Sequence, residues 1–284
     1  MAEPLSLPSP PVVDFTFPVA LVPAAALLSG PVTLPSTYQA VVRTDTQAVL
    51  GIHGPGYRLL RNADAFAAFD EAVQRSPLDL AGMQVRDELS HGGARAYRTY
   101  TFPGHGVAIG RANDLTHLQL MVSNSYDGAL AFTSRLGAYR VLCSNGLVIG
   151  TTFLHAAVRH TKGLSVDTVV QRLTQAVTLF HDQAQHWRAW SHAQVTEVAV
   201  REVIQQLPGL NPKLEEHLLG TYQEEALVLG PSLWALFNAL THWSTHAPVR
   251  TRSRGNLASV RQDRESRVKT VLESAPFRRL ALAA

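Results

Sequence analysis

The sequence contains little cysteine and no long apolar run. Only one cysteine occurs among 284 residues, so no disulfide can form within the chain, and this favours a reducing compartment. No uninterrupted run of about 18 apolar residues occurs, so we expect no membrane-spanning helix. The apolar segment from Pro18 to Gly30 is interrupted by proline and preceded by acidic residues only, which argues against a secretory signal. We therefore expect a cytoplasmic protein without a membrane anchor.

Motifs of the common enzyme classes are missing as well. The sequence has no G-x-S-x-G elbow, no P-loop lysine motif and no G-x-G-x-x-G. His242 and His246 have the spacing of two metal ligands on one helix face, but no glutamate lies between them as in zincins. Asp114 and Asp127 flank a predicted strand without a companion motif. We expect a protein that is not an enzyme and has no cofactor or metal; a metal-dependent enzyme using these histidines is the weakest alternative.

The composition is that of a folded globular protein. Hydrophobic residues make up 46% of the chain and charged residues 17%, which argues against a disordered or membrane protein. A chain of this length can bury one large core or two medium ones. We expect a proline-rich arm over residues 1–35, packed on the body or on a neighbouring subunit, and a single domain over residues 36–284.

Hydrophobic periodicity predicts an α+β fold, with an antiparallel β-meander in the N-terminal half followed by a helical C-terminal part. Alternating residues predict a hairpin from Tyr38–Arg43 and Ala48–His53, and Asn62 is placed to cap the helix that follows. Further strands are expected over 83–89, 94–102, 107–110, 116–125, 129–135 and 138–142. The β-rich part then extends over 36–160 and the helical part over 165–275.

The helical part begins after Ser165, which can cap a helix with a continuous apolar stripe. A second helix is expected over Thr196–Gln206. Pro231 is placed in the first turn of a third helix, where its fixed φ is tolerated. Strands first and helices afterwards favour an α+β fold over a doubly wound sheet.

Charge is distributed unevenly along the chain. Residues 247–284 contain nine basic and three acidic residues, a net charge of +6, whereas the whole chain carries only +3. A guanidinium group can bind two phosphate oxygens at once, in a bidentate manner, and tryptophan rings stack on unpaired bases. The alternative interpretation is that the basic residues form a solvated helix face and that the tryptophans belong to the hydrophobic core. The candidate nucleic-acid-binding residues are Arg250, Arg252, Arg254, Arg261, Arg264, Arg267, Lys269, Trp243 and Trp190.

The segment YRVLCSNGL, which begins at Tyr139, resembles a signature of the phage/plasmid-like protein family catalogued as domain of unknown function 932. LMVSNSYDGALAF, VRHTKG and LWALFNALTHWSTH resemble further elements of that family in the same order. The residues that carry the resemblance are Asn124, Asp127, Arg140, Cys143, Asn145, His160, Asn238, Thr241 and His246. We interpret them as structural: Cys143 fills a small buried space, and the Asn145–Gly146 pair makes a sharp turn.

The resemblance implies an origin in mobile elements, whose genes often serve recombination, replication or evasion of host defence. The expected plan of a meander, helices and a basic end is similar to that of single-strand annealing proteins, at the level of fold only. The leading hypothesis is a homo-oligomeric, non-catalytic single-stranded DNA-binding protein that acts in strand annealing or homologous recombination. The alternative is an accessory protein that binds a host protein and no nucleic acid. The sequence does not distinguish DNA from RNA and does not give the oligomer number.

Overall fold

The computed structural model describes residues 14–27, 35, 37–110, 114–140, 145–148, 166–249 and 251–284. Within these ranges the strands precede all helices but one, which confirms the α+β class. The strands are β1 Val19–Pro23, β2 Gln39–Arg43, β3 Ala48–His53, β4 Gln84–Ser90, β5 Arg95–Ala108, β6 Leu115–Ser125, β7 Thr133–Arg140 and β8 Asn145–Val148. The helices are α1 Asn62–Arg75, α2 Val166–His192, α3 Glu197–Ile204, α4 Pro212–Leu229, α5 Leu233–His246, α6 Leu257–Leu272 and α7 Ala275–Leu282.

A small sheet holds the N-terminal arm against the body. Its strands are ordered β1-β2-β3, and both neighbouring pairs are antiparallel. The predicted hairpin of β2 and β3 is confirmed, with Gln39 opposite His53 and Arg43 opposite Ala48. In the arm, β1 adds to the free edge of β2 and pairs Val19 with Arg43. Main-chain hydrogen bonds therefore fix this part of the arm.

The larger sheet is the predicted meander, with five antiparallel strands in the order β4-β5-β6-β7-β8. Two pairs of predicted strands are single strands in the structure. The segments 94–102 and 107–110 form one strand, β5, because an irregularity between Phe102 and Gly106 shifts the register without ending the pairing with β6. The segments 129–135 and 138–142 are predicted as two strands, whereas the structure has one strand, β7, which begins at Thr133 and continues through Gly137 to Arg140. Residues 141 and 142 lie outside the described residues.

The larger sheet buries one face in the main core. Leu118, Leu120 and Val122 are fully buried, whereas the alternate residues His117 and Gln119 are only half-buried, as the alternation predicts. The buried face packs with α1, α2 and α5 into one continuous hydrophobic cluster. The aliphatic and aromatic side chains of these helices supply the apolar surface whose burial stabilises the fold.

The helix starts show where local signals were read correctly and where they were not. The Thr196 side chain accepts a hydrogen bond from the Ala199 N–H and caps α3. Asn62 is not the cap of α1: it lies inside the helix, and its side chain bonds to Asn124 instead. Pro231 precedes α5 rather than entering its first turn, since Ser232 is the capping residue. No local pattern predicted α4, which spans Pro212–Leu229.

The Asn145–Gly146 pair does not form the predicted turn. Both residues lie within β8, where Asn145 pairs with Arg140 and Gly146 pairs with Tyr139. The register of β7 and β8 requires this extended backbone, so the strand pairing overrides the local turn preference. Among the described residues, no helix is both long enough and apolar enough to cross a membrane.

Candidate functional site

The arginine of the YRVLCSNGL segment lies at the centre of a buried polar cluster, which we call the Arg140 cluster. It comprises Arg140, Asp114, Glu225 and Asn238. The Arg140 side chain has 0% exposure and donates from Nε to Asp114, whose side chain is 2% exposed. Its Nη1 donates to Glu225 Oε2 and to Asn238 Oδ1, both at 3.0 Å. The larger sheet, α4 and α5 therefore meet at one guanidinium group.

This cluster compensates its charge internally. Two carboxylates and one amide oxygen surround the guanidinium, which is what a cation requires when it is removed from water. The Trp234 ring lies 5.9 Å from the Arg140 guanidinium carbon and closes another side. The arrangement is that of a structural joint between the sheet and the helices.

The polar stripe of α5 extends from this joint. Asn238 donates from Nδ2 to the Trp234 carbonyl at 2.8 Å, which orients its Oδ1 toward Arg140. Thr241 donates to the carbonyl oxygens of the preceding turn and is fully buried. One turn further, the rings of His242 and His246 lie 4.8 Å apart. Thus Asn238 and Thr241 stabilise α5, and Asn238 also contributes to the Arg140 cluster.

The histidines of α5 lie near both basic and acidic side chains. Burial lowers the pKa of His242, and the nearby His246 lowers it further. Glu225 and Glu224 oppose this effect, whereas His217 adds to it. In the part of the chain that the structure describes, no three His, Cys, Asp or Glu side chains are grouped so that they could hold a metal ion.

The Asn-Ser-x-Asp-Gly element closes the end of β6. Asn124 is fully buried and donates from Nδ2 to Asn62 Oδ1 at 2.9 Å, which ties β6 to the first turn of α1. Asp127 accepts from Arg95 Nε at 2.6 Å and from the Ala129 N–H at 2.9 Å. These contacts give both motif residues a structural role in the turn after β6.

Several predicted residues cannot be placed in this site. Cys143, His160 and Arg250 lie outside the described residues. Arg252 and Arg254 belong to a short 3-10 helix, Thr251–Asn256, and the backbone of Asn145 lies in β8, but the structure describes none of these three side chains.

The remaining basic residues lie on α6, beside the end of α5. Arg264 donates to the Ala247 and Pro248 carbonyl oxygens at 2.6 and 2.9 Å. Arg267 donates from Nε to the Pro208 carbonyl oxygen at 2.8 Å. Both guanidinium groups lie over the Trp243 ring, with their central carbons 5.6 and 4.8 Å from its centroid. We call Arg264, Arg267 and Trp243 the α6 basic cluster.

The charge of the α6 basic cluster is not compensated locally. Within the described ranges, neither Arg264 nor Arg267 has a carboxylate within ion-pair distance; their partners are neutral carbonyls and an aromatic face. Burial lowers the pKa of both guanidinium groups, and repulsion from Arg267 and Arg261 further lowers that of Arg264. The cluster is therefore a place where an added anion would be stabilised.

The other two basic residues on α6 are paired. Arg261 lies 3.4 Å from Glu88, and Lys269 lies 3.8 Å from Glu273 on the next turn. Trp190 is 9% exposed and packs edge-on against Phe237 and Phe277. Trp243 is only 4% exposed. Both predicted stacking residues thus belong to the packed interior.

Two features of the site were missed at the sequence level. Glu225 lies on the unpredicted α4, so its role as a partner of Arg140 had no local signal. A hydroxyl cluster also anchors the start of α6, where Ser259 Oγ lies 2.8 Å from Tyr97 Oη and 2.9 Å from Ser90 Oγ. His91, whose N–H donates to Asn256 at 2.7 Å, holds the same junction. A Ser in a helix and a Ser in a strand give no hint of such pairing.

Fold and site together define an α+β protein in which a buried arginine joins a β-meander to a helical layer, and in which two arginines of α6 have no carboxylate partner among the described residues. Residues 49–270 match the family model described as Domain of unknown function (DUF932). The chain belongs to this family, as its motifs suggest. No curated protein and no solved structure is similar enough to this chain to count as a match.

Proposed function

We propose that this protein binds single-stranded nucleic acid through the α6 basic cluster and acts in strand annealing or recombination without catalysing a reaction. The observation that carries the proposal is the pair of guanidinium groups, Arg264 and Arg267, which have carbonyl and aromatic partners but no carboxylate among the described residues. A cytoplasmic location and a homo-oligomeric state are part of the proposal.

Phosphate is the ligand chemistry that fits this cluster. Each guanidinium has five N–H donors, of which Arg264 uses its Nη groups and Arg267 its Nε group for carbonyl contacts. The remaining donors suit phosphate oxygens, because Arg–phosphate hydrogen bonds are charge-assisted and often bidentate. An approaching phosphate also relieves the repulsion that lowers the pKa of Arg264.

The burial of the tryptophans changes how binding is expected to work. Trp243 and Trp190 have 4% and 9% exposure, so their rings support the protein interior, and Trp243 positions the two arginines. Affinity in this proposal therefore comes from phosphate contacts rather than from stacking on these rings. A single strand is favoured over a duplex because its flexible backbone can bring phosphates to half-buried guanidinium groups, whereas duplex phosphates have fixed spacing.

The test is the salt dependence of binding, measured by fluorescence anisotropy of a labelled oligothymidine strand. Each phosphate contact contributes a slope of about −0.7 in log K against log salt for single strands. The double variant Arg264→Gln, Arg267→Gln should reduce the slope by about 1.4 if each arginine neutralises one phosphate. The matched control is Arg201→Gln, which removes an exposed arginine paired with Glu197 on α3. That control should bind like the parent.

Folding has to be checked in parallel, because Arg264 bonds the chain that follows α5. Circular dichroism and urea unfolding should show that the double variant is folded under the binding conditions. A folded double variant with the parental affinity and slope at every salt concentration would refute the proposal. A parent protein that binds duplex as tightly as single strand would refute the preference for single strands.

A second candidate function rests on a separate observation. Large apolar side chains are exposed on three helices: Val198 on α3 is 69% exposed, Leu227 on α4 87%, and Leu282 on α7 89%. Large exposed apolar side chains can contribute to a protein-binding surface. If the protein does not bind nucleic acid, we propose instead that it is an accessory protein that recognises a host protein. Substitution Leu227→Glu would then abolish the complex.

A further inference from the structure

A cleft lies between the N-terminal arm and the start of α1, far along the chain from α6. Its volume is about 190 Å³, and its apolar wall consists of Phe15, Phe17, Pro18 and Val19. The polar residues Arg61 and Asn62 at the start of α1 and Tyr126 after β6 line the other side. The cleft thus lies between a helix N-terminus and the Asn-Ser-x-Asp-Gly element. The proposed function assigns no ligand to this place.

The start of α1 has no side-chain cap. Arg61 is the capping residue by position, but its side chain makes no capping hydrogen bond. The Asn62 N–H donates to Tyr126 Oη at 2.8 Å. In the described structure, no acceptor is recorded for the N–H groups of Ala63 and Asp64, which belong to the same first turn. Free N–H groups and the helix dipole at this position favour a negative charge.

A buried side chain gives an independent indication of a ligand. Asn62 is 1% exposed and lines the cleft. The Asn62 Oδ1 accepts from Asn124 Nδ2 at 2.9 Å, and Asn124 Nδ2 also donates to the Leu60 carbonyl oxygen at 3.1 Å, which fixes the orientation of both amides. Among the described residues, Asn62 Nδ2 and Asn124 Oδ1 have no hydrogen-bond partner. A buried amide N–H without an acceptor is costly, and a ligand oxygen would remove that cost.

Two further groups at the cleft, Tyr126 and Arg61, are also donors. Tyr126 accepts a hydrogen bond from Asn62 N and keeps its own proton for donation, because burial raises its pKa to about 12. Arg61 is exposed and has no ion-pair partner in the described ranges. Two acids oppose them: Asp64 in the first turn, and Asp14, whose carboxylate accepts from Thr16 N at 2.7 Å and from Thr16 Oγ1 at 2.6 Å.

We infer that this cleft binds a small anion, a phosphate or carboxylate group, with its oxygens toward the first turn of α1 and any apolar substituent against Phe15 and Phe17. The donors are Arg61, Tyr126, the Asn62 amide and the free N–H groups of the helix. A volume of about 190 Å³ holds one such group with a short substituent. This site is separate from the α6 basic cluster and does not depend on the function proposed for it.

The experiment titrates inorganic phosphate and, separately, acetate into the full chain at constant ionic strength maintained with chloride. Amide chemical shifts of Ala63 and Asp64 report occupation of the cleft. Both anions should give saturable shifts. Arg61→Gln should weaken phosphate binding about tenfold, which is the effect of one lost charge-assisted hydrogen bond. Arg58→Gln removes an exposed arginine that does not line the cleft, and it should leave the affinity unchanged.

A second variant tests the same cleft by adding a negative charge instead of removing a donor. Ala63→Glu places a carboxylate at the exposed mouth of the cleft, where an acid in the first turn also stabilises the helix. This variant should fold and lose phosphate binding. Shifts no larger than those in chloride alone, or equal affinities of the parent and Arg61→Gln, would overturn the inference. If a 5′-phosphorylated oligonucleotide displaces phosphate and its 5′-hydroxyl counterpart does not, the anion is a strand terminus; if neither does, it is a free small anion.

Discussion

The Arg140 cluster and the α6 basic cluster use the same chemical group in opposite ways. Arg140 is fully buried and bonds to two carboxylates and one amide oxygen. Arg264 and Arg267 are half-buried and bond to neutral carbonyl oxygens beside an aromatic ring. In the first cluster the guanidinium has its counter-charges within the fold. The second has no carboxylate partner among the described residues, and this is the basis of the proposed binding role.

This difference distinguishes a structural arginine from the two arginines for which we propose a binding role. The motif arginine, although it carries the family resemblance most clearly, lies where no ligand can reach it. The basic residues of α6 belong to no motif and yet have the chemistry of a binding surface. A motif residue is thus not by itself a binding residue, and burial together with local charge balance decides between the two roles.

The largest expected effect is that of Arg140→Met. It leaves Asp114 and Glu225 buried without their cation, and removal of one partner of a buried ion pair typically costs about 3–5 kcal/mol. The free energy of unfolding, measured in urea, should fall by that amount. The control is Arg135→Met on the same strand, whose partner Glu265 is 4.0 Å away and partly exposed. An equal decrease in the free energy of unfolding in both variants would show that the Arg140 cluster contributes no more to stability than the Arg135–Glu265 pair.

Cys143→Ala is expected to have the next largest effect. Cys143 lies three residues after Arg140 and outside the described residues, and the sequence predicts that it fills a small buried space. Such a truncation should lower the free energy of unfolding by about 1–2 kcal/mol and leave nucleic-acid binding intact. Lost binding with unchanged stability would instead indicate a reactive thiol. The motif would then have a functional rather than a structural role.

Arg267→Gln should affect stability much less than Arg140→Met. The variant loses a hydrogen bond to the Pro208 carbonyl and a cation–π contact with Trp243, together about 1 kcal/mol at a partly exposed position. Binding of single strands should nevertheless weaken. Urea unfolding and anisotropy on the same preparation check both statements. A loss of stability as large as that of Arg140→Met would mean that this arginine, too, is mainly structural.

The smallest expected effect concerns pH. Burial lowers the pKa values of His105, His117 and His242 below the usual 6.5. Between the lowered values and 6.5 the unfolded chain binds more protons than the folded chain, so the free energy of unfolding falls as the pH falls through this window. His242→Gln should reduce this dependence, as measured by urea unfolding at neutral and mildly acidic pH. An unchanged pH dependence would show that folding does not lower the pKa of His242.

Sequence reasoning captured the parts of the fold that depend on short-range pattern. The alternation around Leu120 gave the correct buried face, and the hairpin of β2 and β3 was predicted to within one residue. The site was different, because its contacts join residues far apart in the chain. Asp114 was considered and set aside for lack of a companion, and Glu225 was never considered. The exposure of Trp243 depends on how α6 crosses α5, and no local pattern reports that.

The three partners of Arg140 are distant from it by 26, 85 and 98 residues along the chain. The meander pairs neighbouring strands through short connections, so the loop-closure entropy of the sheet is small. The Arg140 cluster can be completed only after α4 and α5 have been synthesised and have docked. The Arg140 cluster therefore couples the helical layer to the sheet, because its hydrogen bonds are complete only when both are in place.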